Sequence, residues 1–423
     1  MNGFPKTFYF GAATSSHQVE GGNKNDWTEW EKENAERLVK EAAKKQWSDY
    51  LLNVKPSPLS SDNYISGRAC DHYNRFREDF DIAKSLGHNA HRFSIEWSRI
   101  EPEEGKFDEK EIEHYREIIR ALRERGIEPF VTLWHFTLPL WVKNQGGWEN
   151  KKTIADFTKY AEKIIESLGR DVKFWIIINE PTVYAGYGYI VGLFPPQVKN
   201  FYRGYRVLKN IMQAYGDVYD LIHVESRDAM VGNAYNLHYH TPYRKWFFPD
   251  WLAMKALSYI RDFYPLDYAK GRQDFIGLNY YYRDCVKSTL MGGRFGVIDI
   301  KNPDKNVSDM GWDIFPEGLY YVLRSLKKYN LPIFITENGI ADARDEKRTK
   351  FIGDHLSRMA KAIQEKIDVR GYFYWSLLDN FEWDKGFWPR FGLVEIDYKT
   401  LERKIRPSAL EYKKIIENGL YLE

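Results

Sequence analysis

The chain has 423 residues, 43% of them apolar and 29% charged, which suits a water-soluble protein with a large core. Lys and Arg total 62 against 60 Asp and Glu, so the net +2 supplies no overall field toward nucleic acid or an acidic membrane. Two cysteines, Cys70 and Cys285, cannot build a disulfide framework, the opening residues lack a basic-then-apolar leader, and no apolar run nears the ~20 residues of a membrane-spanning helix; a cytoplasmic setting is expected, with peripheral membrane contact and a homo-oligomer left open.

Short, nearly continuous apolar runs recur along the chain and predict strands at 8–12, 89–95, 128–134, 173–178, 230–235, 274–279, 332–336 and 370–375. Continuous rather than alternating runs are what parallel strands covered on both faces require. After the first strand comes a charged helix-like stretch and then a Pro- and Ser-rich one, read together as an insertion at about 31–62. Between the second and third strands, 110–125 places Ile112, Tyr115, Ile118, Ile119 and Leu122 on one helical face, and Gly126 stops it. Residues 317–329 and 347–366 behave likewise. Eight strand–helix alternations predict a single closed (β/α)8 barrel over residues 1–423. An open doubly wound sheet is the rival, but no GxGxxG follows the first strand.

Aromatic content is the unusual feature, with 14 Trp, 30 Tyr and 25 Phe. Most of these rings are expected in the core, with some lining a pocket where flat apolar faces suit sugar C–H groups. The segment 246–251, Trp-Phe-Phe-Pro-Asp-Trp, is expected to pack as a buried loop; a subunit contact or an apolar lip beside a substrate are the alternatives. The charge-rich composition points weakly to a thermophilic source.

Two predicted strands close on carboxylates, one on Asn179-Glu180-Pro181 and one on Glu337-Asn338-Gly339. A carboxylate just beyond a buried strand sits at the rim of a barrel, half desolvated, where its pKa moves easily. Either glutamate alone is as well explained by a helix cap or an ion pair. Two in the same position on two strands suggest a pair facing one pocket. Such a pair suits glycoside hydrolysis, which needs one protonated acid and one ionised nucleophile or base. Other strand ends offer Gln18, Arg92, His135, Tyr281, Trp375, Glu382 and Trp383. On a strand His238 and His240 would share one face, but no third metal ligand is evident, so no metal and no cofactor are expected.

The order of these motifs resembles glycoside hydrolase family 1 along the whole chain. The matching stretches are FGAATSSHQVEGG from Phe10, RFSIEWSRI from Arg92, HFTLP from His135, NEP from Asn179, DFIGLNYY from Asp274, MGWDIFPEGL from Met310, TENG from Thr336 and WSLLDNFEW from Trp375. The insertion is similar to that of archaeal members. The resemblance implies an exo-acting, retaining β-glycosidase, foremost a β-glucosidase with β-galactosidase or β-mannosidase side activity, acting on a small β-glycoside. It implies Glu180 as acid/base and Glu337 as nucleophile, with Arg92 and Tyr281 holding the nucleophile. It further implies that Gln18, His135, Asn179, Glu382 and Trp383 bind sugar hydroxyls, that Trp375 lies beneath the ring, and that Trp312 lines the leaving-group side. Arg92 should depress the pKa of Glu337, and Glu180 should be raised. A catalytically silent sugar-binding relative is the rival from another class. An enzyme on phosphorylated sugars is disfavoured, since Glu382 would repel the phosphate and Lys385 alone is no clamp.

Overall fold

Val, Ile, Leu and aromatic residues dominate the apolar runs, and each run becomes a strand buried on both faces. The computed structural model describes residues 4–291, 294–300 and 306–418. Eight strands form a closed parallel barrel: β1 Tyr9–Ala13, β2 Ala90–Ser94, β3 Glu128–Trp134, β4 Phe174–Asn179, β5 Met230–Asn236, β6 Phe275–Asn279, β7 Ile333–Asn338 and β8 Val369–Trp375. Each predicted strand is found within two residues of its expected ends. The ring closes where Gly11 of β1 pairs with Phe373 of β8 on one side and with Ala90 of β2 on the other. A Cβ on Gly11 would lie 1.9 Å from the carbonyl oxygen of Ala90, so this strand contact needs glycine.

Inside the barrel, Tyr9, Phe130, Phe174, Phe275, Phe334 and Phe373 meet in an aromatic plug; Phe130 and Phe174 stack with centroids 4.1 Å apart. Burying one such ring stabilises the fold by roughly 1.5–3 kcal/mol. The plug fills the interior below the strand ends, so polar residues at those ends sit over an apolar floor.

The helix Glu109–Glu124 buries the five predicted apolar residues and is capped by Asp108, whose carboxylate accepts from the Lys110 amide at 2.9 Å. The inserted helix runs Asp26–Ala42 and starts five residues before the predicted insertion. Asn25 sets that start, accepting from the Thr28 amide while the Thr28 hydroxyl closes a capping box. The helix buries Trp27, Trp30 and Glu31, and so packs against the barrel rather than projecting from it.

The aromatic segment departs from expectation. It opens the helix Phe248–Ser258, and Trp246 is fully exposed while Phe248 is 67% exposed. The buried residue of the segment is Asp250, which accepts from the Arg244 guanidinium and from the Ser288 amide and hydroxyl. Anchoring the helix by its carboxylate turns the rings outward. A three-stranded sheet of Tyr239–Pro242, Arg283–Met291 and Arg294–Ile300 lies beside it, of which the sequence suggested only a strand around His240.

Candidate active site

Both candidate glutamates stand where strand register slips. β4 loses its register against β5 between Ile176 and Asn179, and β7 slips against β6 and β8 from Ile335 onward. A slip at a strand end re-aims the side chains that follow. Glu180 takes a left-handed backbone, φ 45°, although Pro181 after it favours extended backbone at this position. Such a conformation costs about 1–3 kcal/mol and persists only when its surroundings hold it. Here the Glu180 amide donates to the Ala234 carbonyl at 2.8 Å. After β7, a Cβ on Gly339 would lie 1.8 Å from the Trp375 carbonyl oxygen, so glycine lets β7 end against β8.

The two carboxylates are buried but unequally served. Glu337 accepts from Arg92 Nη1 through one oxygen and from the Tyr281 hydroxyl through the other, the latter at 2.6 Å. Glu180 accepts from Asn279 Nδ2 at 2.7 Å. Burial pushes Glu180 up to about 8, and the charge on Glu337 adds to it. Burial also leaves Glu337 above the ordinary carboxylate range, which corrects the expected depression; Arg92 and Tyr281 pull it back without cancelling the desolvation. The two differ in their partners: Glu337 meets a cation and a phenol hydroxyl, Glu180 a neutral amide. Glu382 is likewise pushed up to about 8 by burial, then by the negative charges of Glu337 and Asp384.

Arg92 links the two strand ends, since Nη2 donates to Asn179 Oδ1 at 2.6 Å. Asn179 Nδ2 in turn lies 3.1 Å from His135 Nε2. Burial, then the charge of Arg92, holds His135 well below the usual histidine range, so the ring is neutral. A neutral ring that accepts at Nε2 carries its proton on Nδ1. That Nδ1 is buried without a protein partner, a donor waiting for an oxygen. Gln18 donates to the Phe381 carbonyl at 2.8 Å, to Asn380 Oδ1 at 3.0 Å and to Glu382 Oε2 at 3.4 Å. The rings of His17, Trp383, His135 and Trp375 form a near-parallel column, with interplanar angles of 6°, 20° and 23°. Trp312 packs on Tyr281, Tyr282 and Phe391, beside the Glu337 partners. Every sequence-predicted site residue thus falls at the C-terminal end of the barrel.

Asn279 was not singled out beforehand. It donates to Glu180 and accepts from the Thr336 hydroxyl at 2.6 Å, so it joins β4, β6 and β7. Its signal was a polar residue closing an apolar run, as at Asn179. The metal reading also changes, because Asp262 joins His238 and His240 within 4.8 Å. Yet Arg261 donates to Asp284 at 2.8 Å and lies 3.1 Å from His238 Nδ1, while His240 pairs with Asp262 at 2.7 Å. A guanidinium fixed in the cluster opposes a second cation, so these groups make a buried ion cluster. Lys385 is paired with Asp384, which leaves no phosphate clamp at this position. At the opposite end of the barrel a depression lined by Lys6, Tyr9, Asn89, Arg123 and Glu128 contains none of these residues.

Two buried carboxylates with unlike partners, ringed by amide, imidazole and indole groups at the mouth of a (β/α)8 barrel, define a glycoside hydrolase. The chain belongs to Glycosyl hydrolase family 1, whose family model matches residues 1–265 and 262–420. It is 33% identical to the "Beta-glucosidase A" of Thermotoga maritima, over 98% of each chain. It is 32% identical to the "Beta-galactosidase" of Saccharolobus solfataricus, over 99% of this chain and 96% of that one. Among solved structures, the β-glycosidase from Pyrococcus horikoshii superposes with a TM-score of 0.87 at 38% identity, covering 100% of this chain and 96% of that one. The β-glucosidase from Thermotoga maritima in complex with glucoimidazole gives 0.86 at 31% identity, over 99% of each.

Proposed function

We propose that the chain is one catalytic barrel that removes terminal β-D-glycosyl units with retention, and that β-glucosides are its preferred substrates. The relatives' names, β-glucosidase and β-galactosidase, support the substrate class. The observation that carries the reading is the unequal pair: Glu337 held by Arg92 and Tyr281, Glu180 pushed up to about 8. In this reading Glu337, beside its cation, is the carboxylate and Glu180 the acid.

Glu337 attacks the anomeric carbon from the face opposite the leaving oxygen. As the carbon–oxygen bond to the aglycone breaks, Glu180 gives that oxygen its proton, and the sugar is left as an ester on Glu337. The esterified Glu337 no longer carries a charge, so Glu180 becomes a stronger acid and rests as a carboxylate. It then takes a proton from water while the water oxygen attacks the anomeric carbon and Glu337 departs. His135 Nδ1, Asn179, Gln18, Glu382 and Trp383 hold hydroxyls of the sugar, with Trp375 under the ring and Trp312 beside the leaving group. No cofactor is required by these steps. Cytoplasmic residence belongs to the same reading, on the strength of the two-cysteine composition.

Glu337→Ala tests the assignment. Hydrolysis of a nitrophenyl β-glucoside should fall by about 10⁴–10⁶-fold, as for loss of other enzyme nucleophiles. Azide should restore turnover and yield the α-glycosyl azide. Near-normal hydrolysis by this variant would remove Glu337 from its role, and an inert parent enzyme would favour a silent binding protein.

A further inference from the structure

Sixteen of the nineteen large hydrophobic side chains exposed among the described residues lie between positions 190 and 268. They are not scattered over that stretch. On the helix Phe248–Ser258, residues Phe248, Trp251, Leu252 and Lys255 face outward, while Asp250, Ala253 and Met254 face in. The outward set is spaced at i, i+3, i+4 and i+7, three apolar residues followed by a lysine, with the usual sense of burial reversed. Trp246, fully exposed, stands just ahead of it, and Tyr259 and Ile260 continue it. The N-terminal turn of the helix Phe201–Glu225 exposes Phe201, Tyr202 and Tyr205, and Tyr205 reaches across to Tyr264 with ring centroids 6.0 Å apart. Contiguous apolar surface of this kind marks an interaction site.

Its charge is as uneven as its hydrophobicity. The stretches 199–209 and 243–261 together hold eight Lys and Arg and one carboxylate, Asp250, in a protein whose net charge is only +2. Asp250 is buried on Arg244, and Glu149 answers Arg203 and Arg206 while Asp284 answers Arg261. Lys199, Lys209, Lys245 and Lys255 form no ion pair among the described residues. Several cations lie on the rings: Lys255 over Trp251, Arg244 over Phe247 and Lys209 over Tyr205. The near-balanced count for the whole chain conceals this face.

We propose that this face docks on the surface of an anionic phospholipid bilayer, with Trp246, Phe248 and Trp251 among the headgroups and the lysines on the phosphates. Indole and phenol rings beside Lys and Arg are the side chains that settle at such an interface, apolar body inward and charge toward the headgroups. A second copy of the chain would set one cation-rich face against another, which like charges oppose. The two stretches follow β4 and β5, at the end of the barrel that carries Glu180 and Glu337. Also after β4, Tyr187 packs on Phe194 and Phe194 on Trp383, with centroid separations of 5.1 and 6.3 Å, so ring packing runs to the site mouth at this same end. Docking would therefore turn the site mouth toward lipid and favour amphiphilic glycosides held at the interface. The docking itself does not depend on the proposed hydrolysis.

Flotation with phosphatidylcholine vesicles containing about 30% phosphatidylglycerol tests it, at low and high salt. The parent protein should float with the anionic vesicles at low salt and be largely released at high salt. Lys245→Glu with Lys255→Glu should lower the partition by at least about 25-fold, each cation near such a surface counting for about fivefold. Trp246→Ala with Phe248→Ala should lower it by about tenfold or more. Both variants should keep the parent kcat/KM on a soluble nitrophenyl β-glucoside, which shows that they fold and separates this proposal from the catalytic one. No flotation by the parent, or equal flotation by the variants, overturns it. A parent dimer that the aromatic variant splits, with no vesicle binding, overturns it also and assigns the face to a second copy.

Discussion

Trp383 lies at the barrel mouth between the rings of His17 and His135, buried, while Trp246 stands on the outer rim with its whole surface in water. Around the first, nearby polar groups are bonded inward: His17 to Glu31, Gln18 to Phe381 and Asn380, Asn179 to Arg92. Around the second, Lys245 and Lys255 form no ion pair among the described residues. The same residue type thus serves opposite ends. In the mouth, rings and paired dipoles shape a site before a sugar arrives, which is how a binding site avoids reorganising during the reaction. On the rim, rings and unanswered cations leave the surface incomplete until something covers it.

The largest expected effect lies within the mouth. Glu180→Ala should slow hydrolysis of an alkyl β-glucoside by about 10²–10⁴-fold, the usual weight of general acid catalysis. A dinitrophenyl β-glucoside, whose leaving oxygen needs little protonation, should be spared in the glycosylation step. In the parent enzyme, kcat/KM for the alkyl substrate should fall as pH rises through about 8, because the raised pKa of Glu180 keeps it protonated below that value and ionised above it. An alkaline limb unchanged in Glu180→Gln would assign it to another group.

Next comes the contrast between buried and exposed indoles. Trp27→Ala removes a ring packed against Trp30, Phe194 and Trp383 and should cost about 3–5 kcal/mol. Trp246→Ala should stay within about 0.5 kcal/mol of the parent. Chemical denaturation of the two variants measures both, and comparable losses would mean that the rim ring is packed in solution. The smallest effect belongs to Tyr281→Phe, which removes one donor from Glu337. The Glu337 pKa should rise further, so the acid limb of kcat/KM should move to higher pH, since the nucleophile must be ionised. A limb that stays in place would mean that Arg92 alone holds the charge.

Much of this was legible in the residues because parallel, doubly covered strands print continuous apolar runs, and catalytic side chains of such barrels come at their ends. Glu180, Glu337, Arg92 and His135 stand out for that reason. The start of the inserted helix lies earlier than its charged stretch because Asn25 acts through a cap of four residues ahead of those charges. Asp262 was missed because its partners, His238 and His240, come from a different element. The rings of 246–251 were expected inside because apolar character alone does not say which face of a helix is anchored; the buried Asp250 decides it. The depression of Glu337 was expected from one ion pair, without the weight of desolvation around it.

The central claim is that Glu337 forms a bond to the sugar and that Glu180 serves both steps. Proton NMR of the reducing sugar first released from a β-glucoside tests it, read within the time before mutarotation. The account predicts the β-anomer first, with the α-anomer growing in slowly. The α-anomer appearing first would mean a single displacement by water, with Glu337 a base rather than a nucleophile.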